Sequence, residues 1–311
     1  MKVNSIELSG EHLPFYKSKW FVLPVVAILV AITVDFFVVF MTHGGSMPLE
    51  VFSIRNSDRE PAADQIKVMT INMAHGRSDG RNQLLQASST IEKNVENIGD
   101  FIARERPQLV ALQEADAPSW WSGRFSHVER VATVGGMTSA VQGRNVDGLG
   151  LHYGAAVVTE LNVSEARQVT FKKNIPTFSK GFVVVTCAWP GDPGFKFDVV
   201  SLHLDFASAK VRSYQLSILS DLVRQSERPI VLMGDFNTDM VRELLPKFLE
   251  DTGLQAWRVD DETTVTFPYL GTRIDWILAS PELRMVEQSV LDDVLSDHKV
   301  VVAILEREGR E

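Results

Sequence analysis

Carboxylates, amides and imidazoles in this chain stand where apolar runs stop, and that placement is what suggests chemistry. Ile66 to Ile71 ends at Asn72, Gln108 to Leu112 at Gln113-Glu114, the run through Leu202 at His203, and Ile230 to Met233 at Gly234-Asp235-Phe236-Asn237. Asp275 lies inside the apolar run Arg273 to Leu278, and Ser296-Asp297-His298 precedes KVVVAIL. A rigid strand presents a side chain at little entropic cost while the adjoining loop admits a ligand, so the collection reads as one site at the mouth of a sheet. Asp235 and Asn237 are two apart; if the strand continues, they share a face and can meet one ligand. Taken singly, the Gly-Asp-Phe-Asn run is a turn and Glu114 a solvated loop residue. Asp275 is harder to place as ornament, because a carboxylate between Ile274 and Trp276 needs a partner. The imidazolium of His298 is the candidate.

The elements that must hold these residues alternate. Ile91, Val95, Ile98 and Ile102 recur on one face of a helix that stops before Pro107, which makes a strand, helix, strand unit. A strand around Gly154 to Val158 follows, then a hairpin from Phe182 to Leu202 turning at Pro190 to Gly194, then a helix with Val211, Tyr214, Ile218 and Leu222 on one side. With no repeat or low-complexity tract, residues 66–308 read as one α/β domain. A long insertion from Ala117 to Leu151 carries Trp120, Trp121, Phe125 and Met137. Its tryptophan pair has three readings: a satellite core under the loop, contact with a lipid interface, or stacking on bases.

Ahead of the domain, residues 20–41 read WFVLPVVAILVAITVDFFVVFM, long enough as a helix to cross a bilayer core of roughly 30 Å. Asp35 is its one charge, and the apolar residues outweigh the insertion cost of about 3 kcal/mol that it adds. The run exceeds the apolar core of a signal peptide and THGGSMP offers no small-residue cleavage site, so an uncleaved anchor is expected. Lys2, Lys17 and Lys19 lie in residues 1–19, ahead of the first bases after the span, Arg55 and Arg59. The N-terminus is therefore expected in the cytoplasm and the domain outside it, in a single-pass arrangement. Residues 42–65 mix Gly, Pro, Ser and charges and read as a linker.

Composition narrows the classes further. The chain has 311 residues, 31 Lys or Arg against 40 Asp or Glu, a net charge of -9 and one cysteine. An acidic balance disfavours broad phosphate neutralisation of nucleic acid, although a local basic groove is compatible with it. Cys187 excludes an internal disulfide, and no Cys/His cluster has zinc-site spacing. Mean hydropathy is +0.00, the average of an apolar anchor and a polar body.

Seven pieces in order, TINMAHG (70–76), LVALQEAD (109–116), HYGAAVVT (152–159), VVSLHLD (199–205), VLMGDFNTD (231–239), TFPYLGTRIDWIL (266–278) and SDHKVVVAIL (296–305), resemble the endonuclease/exonuclease/phosphatase superfamily. The resemblance covers essentially all of 66–305 and implies a four-layer α/β sandwich and metal-dependent phosphoester hydrolysis. It implies Glu114 as principal metal ligand with Asn72 and Asp297 in support, a set of oxygen donors suited to Mg²⁺ or Mn²⁺. Asp235, oriented by Asn237, would position and deprotonate the attacking water. His298, held by Asp275, would face the phosphate as a cation, and His203 would contact phosphate or assist the leaving group. His75, close to Asn72, has no assigned role.

The superfamily's catalytic set does not choose the substrate. Ala115-Asp116 follow Glu114 where abasic-site endonucleases carry Thr-Lys, which disfavours that activity. Ala155 follows Tyr153-Gly154 where many members have Asn. Arg212 and Gln215 match an Arg-x-x-Gln pattern of bacterial members without a mechanism attached, and Arg273 could reach a phosphate or pair with a carboxylate. The anchor and the charge lean towards a lipid or membrane-proximal phosphodiester, as in sphingomyelinases. An extracytoplasmic Mg²⁺-dependent endonuclease or exonuclease acting on nucleic acid is the alternative. A catalytically silent binding module of the same fold is the third reading, and nothing calls for an obligate protein partner.

Overall fold

The structure is a computed structural model and describes residues 49–54, 64–80, 82–175, 177–240, 244–261 and 263–308. The anchor expected at 20–41, with Asp35, lies outside the described residues. Among those described, no helix is long and apolar enough to cross a membrane. The described residues fall in one compact unit that begins at Met47.

Its elements are β1 (Leu49–Ser53), β2 (Gln65–Asn72), α1 (Ser88–Glu105), β3 (Leu109–Asp116), α2 (His127–Val134), β4 (Ser139–Gly143), β5 (Val146–Gly148) and β6 (Leu151–Thr159) in the first half. The second half runs β7 (Val163–Thr170), β8 (Gly181–Trp189), β9 (Asp192–His203), α3 (Ala209–Gln225), β10 (Ile230–Asp235), α4 (Leu244–Thr252), β11 (Gln255–Ala256), β12 (Asp275–Ala279), β13 (Leu283–Leu291) and β14 (Val300–Arg307). One sheet has the order β1-β4-β6-β3-β2-β14-β13, with β5 on β6; the other has β11-β12-β10-β9-β8-β7. Both are mixed, because β2 and β3, and likewise β9 and β10, pair in parallel across a helical connection.

Strand alternation divides the apolar residues into three layers of core. Ile66, Val68, Leu109, Ala111, Val199, Val231, Met233 and Ile277 pack between the sheets. The intervening residues Met69, Ile71, Val110 and Leu112 pack with Ile91, Val95, Ile98 and Ile102 of α1 and with α2. On the far side Val200, Leu202, Leu232 and Trp276 pack with Leu216 and Leu219 of α3 and Leu245 and Phe248 of α4. Two sheets with helices on both outer faces follow from that division.

Three sequence expectations need correction here. The linker expected over 42–65 contains β1, which pairs antiparallel with β4 from Leu49–Gly143 to Ser53–Ser139, so the domain starts before Ile66. An edge strand this short carries little periodicity, and only its pairing identifies it. The insertion 117–151 is not one long loop, since it supplies α2, β4 and β5. The helix expected to bury Val211 and Tyr214 instead buries Arg212, Gln215, Leu216 and Leu219, and Tyr214 is exposed.

Candidate active site

The inter-sheet face of each central strand begins apolar and ends polar. In β2 that face reads Ile66, Val68, Thr70, Asn72; in β9, Phe197, Val199, Ser201, His203; in β10, Val231, Met233, Asp235. Strand β12 runs antiparallel to β10 and enters the same level from the other end, with Asp235 directly opposite Asp275. The period of two therefore delivers Asn72, His203, Asp235 and Asp275 to one end of the sandwich. Beneath them lies a buried polar layer, in which Thr70 Oγ1 donates to Gln113 Oε1, Gln113 Nε2 to Ser201 Oγ at 3.1 Å, and Ser201 Oγ to the Leu112 carbonyl. This layer satisfies the polar atoms where the dry core gives way to the site.

Glu114 reaches the site by a different device. It does not end β3, as the sequence suggested; the register of β3 against β6 shifts between Leu112 and Ala115, and Glu114 takes φ 48°. A bulge re-aims the side chain that alternation would have pointed elsewhere. The left-handed backbone of a non-glycine residue costs on the order of 1 kcal/mol and persists only where the surroundings hold it. They do: Glu114 Oε2 lies 3.3 Å from His75 Nε2 and 3.8 Å from an Arg77 amine, and Oε1 lies 3.6 Å from Lys180 Nζ. Burial works against the Glu114 carboxylate, but His75 and Lys180 outweigh it and hold the group far below the usual carboxylate range.

His75 is placed by Asp116. Its Nδ1 is 2.7 Å from Asp116 Oδ1, and Trp121 Nε1 donates to the other oxygen at 2.7 Å. The ring also stands edge-on to Tyr153, 4.6 Å between centroids. His75 therefore supports Glu114. Trp121 packs with Val146, Leu151 and Tyr153 as the satellite core, whereas Trp120 is half exposed and donates to the Leu149 carbonyl. The two tryptophans of the pair have different environments.

Asp235 is 2% exposed and fully engaged. Its Oδ2 accepts from Asn72 Nδ2 at 3.1 Å and lies 3.4 Å from His203 Nε2 and 3.9 Å from His298 Nε2. Its Oδ1 accepts from the Asn237 N–H at 2.9 Å. Asn237 does not share a strand face with Asp235: β10 ends at Asp235, Asn237 turns to φ 50°, and its side-chain amide donates to the Leu204 carbonyl. A side chain that accepts from the N–H two residues on is an Asx turn, so Asn237 orients Asp235 through the backbone. Gly234 permits this close pairing, because a Cβ there would sit 2.0 Å from the Leu202 carbonyl oxygen. Burial, with Asp275 adding to it, raises the Asp235 carboxyl above its ordinary range, while His298 opposes the shift.

Asp275 takes the partner the sequence demanded. Both of its oxygens face His298 Nδ1, at 3.1 and 2.9 Å, and the His298 ring lies on Phe267 at 4.7 Å. Burial disfavours the imidazolium, but Asp275, helped by Asp235 and Asp297, raises His298 to about 10. Among the described residues Arg273 hydrogen-bonds no carboxylate, and it does not line the cavity that holds Asp235 and His298. Its guanidinium lies over Trp276 at 3.8 Å and donates to the Arg258 and Trp257 carbonyls.

Asn72, Glu114, His203, Asp235, Asn237, Asp297 and His298 line one cavity of about 320 Å³, together with Arg77, Phe206, Phe267 and Leu270. Arg77 also donates to Asp297 Oδ2 at 2.5 Å, so a single guanidinium spans Asp297 and Glu114. Two carboxylates converging on one cationic position fit a hard divalent ion; Asn72 lines the same cavity, its Nδ2 donating to Asp235 and its Oδ1 accepting from the Ala74 N–H with a lone pair to spare. A second acidic group, Asp235, Asp275 and His298, has donor atoms within 4.8 Å of one another. There His298 Nδ1 is already committed to Asp275, and Asp235 lies 3.9 Å from Nε2, so the hydrogen-bonded unit of the trio is the Asp275–His298 pair.

Arg77, Asp116 and Lys180 were invisible as site residues in the sequence. Arg77 lies two residues after His75 in an irregular turn, and Lys180 immediately precedes β8, where a lysine reads as a solvated strand end. Arg212 and Gln215 now have a mechanism. Arg212 donates to the Asp205 and Phe206 carbonyls and Gln215 Oε1 accepts from the Asp205 N–H, so α3 pins the segment that leaves His203.

Comparison with known proteins identifies the family. The model of the endonuclease/exonuclease/phosphatase family matches residues 69–298. No curated protein matches the sequence. Among solved structures, the chain is similar to an endonuclease/exonuclease/phosphatase from Beutenbergia cavernae (TM-score 0.62, 20% identity, covering 79% of this chain and 72% of that one). It is also similar to a mannosyl-6-phosphatase from Bacteroides thetaiotaomicron (0.59, 17%, 77% and 99%) and to truncated TDP2 from Caenorhabditis elegans (0.56, 15%, 78% and 97%). These likenesses are of fold, whereas the family match spans the motifs themselves from β2 to His298. The chain belongs to the endonuclease/exonuclease/phosphatase family of divalent-metal-dependent phosphoester hydrolases.

Proposed function

We propose that this phosphoesterase hydrolyses a phosphodiester presented at a membrane surface, from an anchor over residues 20–41 that leaves the domain outside the cytoplasm. The observation that carries the substrate class is the rim of the cavity. Phe206 (62% exposed) and Leu270 (64%) line it, and Tyr269 (80%) stands on the adjoining cleft of about 710 Å³ with Phe267 and Pro268. Large apolar side chains held open around a polar floor suit a phosphoester with an apolar portion. Asp79, Asp292, Asp293 and Asp297 on that cleft outnumber Arg77, Lys299 and the charged His298, which gives no basic surface for a polyanion.

In this reading Glu114, Asn72 and Asp297 would hold Mg²⁺ or Mn²⁺, which would supply positive charge against the negative charge that builds up during hydrolysis. Asp235 takes the proton of the attacking water, its carboxylate fixed by the Asn72 amide and the Asn237 N–H. Charged His298, oriented by Asp275, donates from Nε2 to a phosphoryl oxygen as its negative charge grows. The water attacks phosphorus opposite the departing oxygen, the P–O bond to that oxygen breaks, and the alkoxide takes its proton from solvent at the open rim.

The test is a substrate panel on the full chain in detergent with Mg²⁺: sphingomyelin and phosphatidylcholine vesicles, plasmid and single-stranded DNA, and a phosphomonoester. Headgroup release from vesicles is expected, with a loss of about a thousandfold or more in Asp235→Ala, Glu114→Ala and His298→Ala. Turnover of DNA without lipid would replace this reading with the nuclease. Turnover of nothing would leave the silent module.

A further inference from the structure

Lys180 is a lysine at 8% exposure in the floor of the site, between Glu114 and His203. Its ammonium carries three donors and no acceptor, and it lies 3.3 Å from His203 Nδ1. That contact is favourable only if Nδ1 offers a lone pair. An imidazole that accepts at Nδ1 carries its one proton on Nε2, and Nε2 faces Asp235 Oδ2 at 3.4 Å and the catalytic cavity. A doubly protonated ring would place two cations against each other in a buried site. We infer that Lys180 is a positioning residue: it fixes His203 as the neutral Nε2–H tautomer, so that His203 presents an N–H to a phosphate in the cavity and does not serve as the acid that protonates the leaving group.

The two histidines of the site thereby receive opposite instructions. His298 has a carboxylate at Nδ1 and is held as a cation; His203 has an ammonium at Nδ1 and is held neutral. Burial and the Lys180 charge together push His203 well below the ordinary histidine value, in keeping with that assignment. Lys180 keeps its place because Glu114 Oε1 lies on its other side, 3.6 Å away, so the same ammonium joins the metal-side glutamate to the base-side histidine. Gly181 is the register partner of His203 across the β8–β9 ladder, which puts the lysine one residue from the histidine's own pairing position.

The catalytic consequence rests on the hydrolase reading above; the tautomer does not. The experiment is a long-range ¹H–¹⁵N correlation spectrum of the ¹⁵N-histidine-labelled full chain in detergent at neutral pH, without substrate, with His203 assigned by its loss in His203→Gln. The expected wild-type pattern is a single Nε2–H tautomer. Lys180→Met, which keeps the aliphatic stem and removes the donors, should give a tautomer mixture or the imidazolium. With the substrate found by the panel, it should lower kcat about ten- to a hundredfold with KM little changed. Lys180→Arg should return both the tautomer and most of kcat. An Nδ1–H tautomer or imidazolium in the wild type overturns the inference, and so does a Lys180→Met protein with an unchanged His203 pattern. If Lys180→Met unfolds, the Lys180→Arg and wild-type spectra still decide between the tautomers. A clean Nε2–H pattern, abolished in Lys180→Met, in a protein that turns over no phosphoester upholds the tautomer while the hydrolase reading fails.

Discussion

His298 keeps its charge in a buried site because Asp275 presents both carboxylate oxygens to one ring nitrogen. Replacing Asp275 with Asn preserves the shape and removes that preference, since an amide can also present its N–H₂ to Nδ1 and turn the ring into the wrong tautomer. Asp275→Asn is therefore expected to lose about a thousandfold or more in kcat, comparable to unsettling a histidine of this kind in other hydrolases. The measurement is a kcat comparison on protein whose melting temperature is close to wild type; activity within tenfold of wild type would remove the dyad from the mechanism. The pair was legible in the sequence because a carboxylate in an apolar strand announces that it needs a partner. Glu114 was legible only through the motif: its backbone leaves the strand conformation at a bulge, and alternation alone would have aimed it away from the site. Lys180 and Arg77 gave no signal at all, since lysine and arginine beside a strand end are ordinary solvated residues until the fold buries them.

At the scale of elements, the site is the inter-sheet core continued in polar residues. The period of two that packs Val199 and Val231 also sets His203 and Asp235, so strand existence, strand faces and most of the floor could be read from the sequence. Short pieces without a full period could not, so β1, β4 and β5 look like linker and loop in the sequence. The helix face of α3 is hidden for a related reason: its buried side includes Arg212 and Gln215, polar residues that an apolar stripe does not count. Their work is to hold the 205–208 segment, where the Asp205 carboxylate also accepts from Thr177, Asn174 and the N–H groups of Ala207 and Ser208. Burial resists ionisation of Asp205, but those donors outweigh it and lower its pKa. A depressed folded-state value stabilises the fold above the ordinary carboxylate range near pH 4, and the contribution is lost as pH falls through the lower folded value. Asp205→Ala should accordingly lower stability by about 1–2 kcal/mol at neutral pH and by less in acid. Denaturant melts at two pH values read this, and an equal loss at both would show that the carboxylate charge is not what holds the segment.

For the whole molecule, the structure changes what the acidic balance signifies. Residues 1–48 carry three Lys or Arg and three Asp or Glu, so the net charge of -9 belongs to the residues from β1 onward. The site is not where that excess sits: Glu114, Asp235, Asp275 and Asp297 are answered there by His75, Arg77, Lys180 and His298. In the proposed metal site a divalent ion held by Glu114 and Asp297 would meet carboxylates already paired with Arg77, so its binding would be set by coordination more than by relief of bare repulsion. Binding to the native state alone stabilises it by about 2.7 kcal/mol at a hundred times Kd. For a unit of this size each kcal/mol moves the melting temperature by about 2–4 °C, so saturating Mg²⁺ should raise Tm by roughly 5–10 °C and EDTA should reverse it. Thermal melts of the full chain with Mg²⁺, with EDTA, and with Mg²⁺ on Glu114→Ala separate site binding from general salt effects. The Glu114→Ala protein should show little of the shift. A full shift in that variant would place the ion elsewhere on the acidic surface, and no shift in the wild type would mean that Arg77 and its neighbours already satisfy the carboxylates without it.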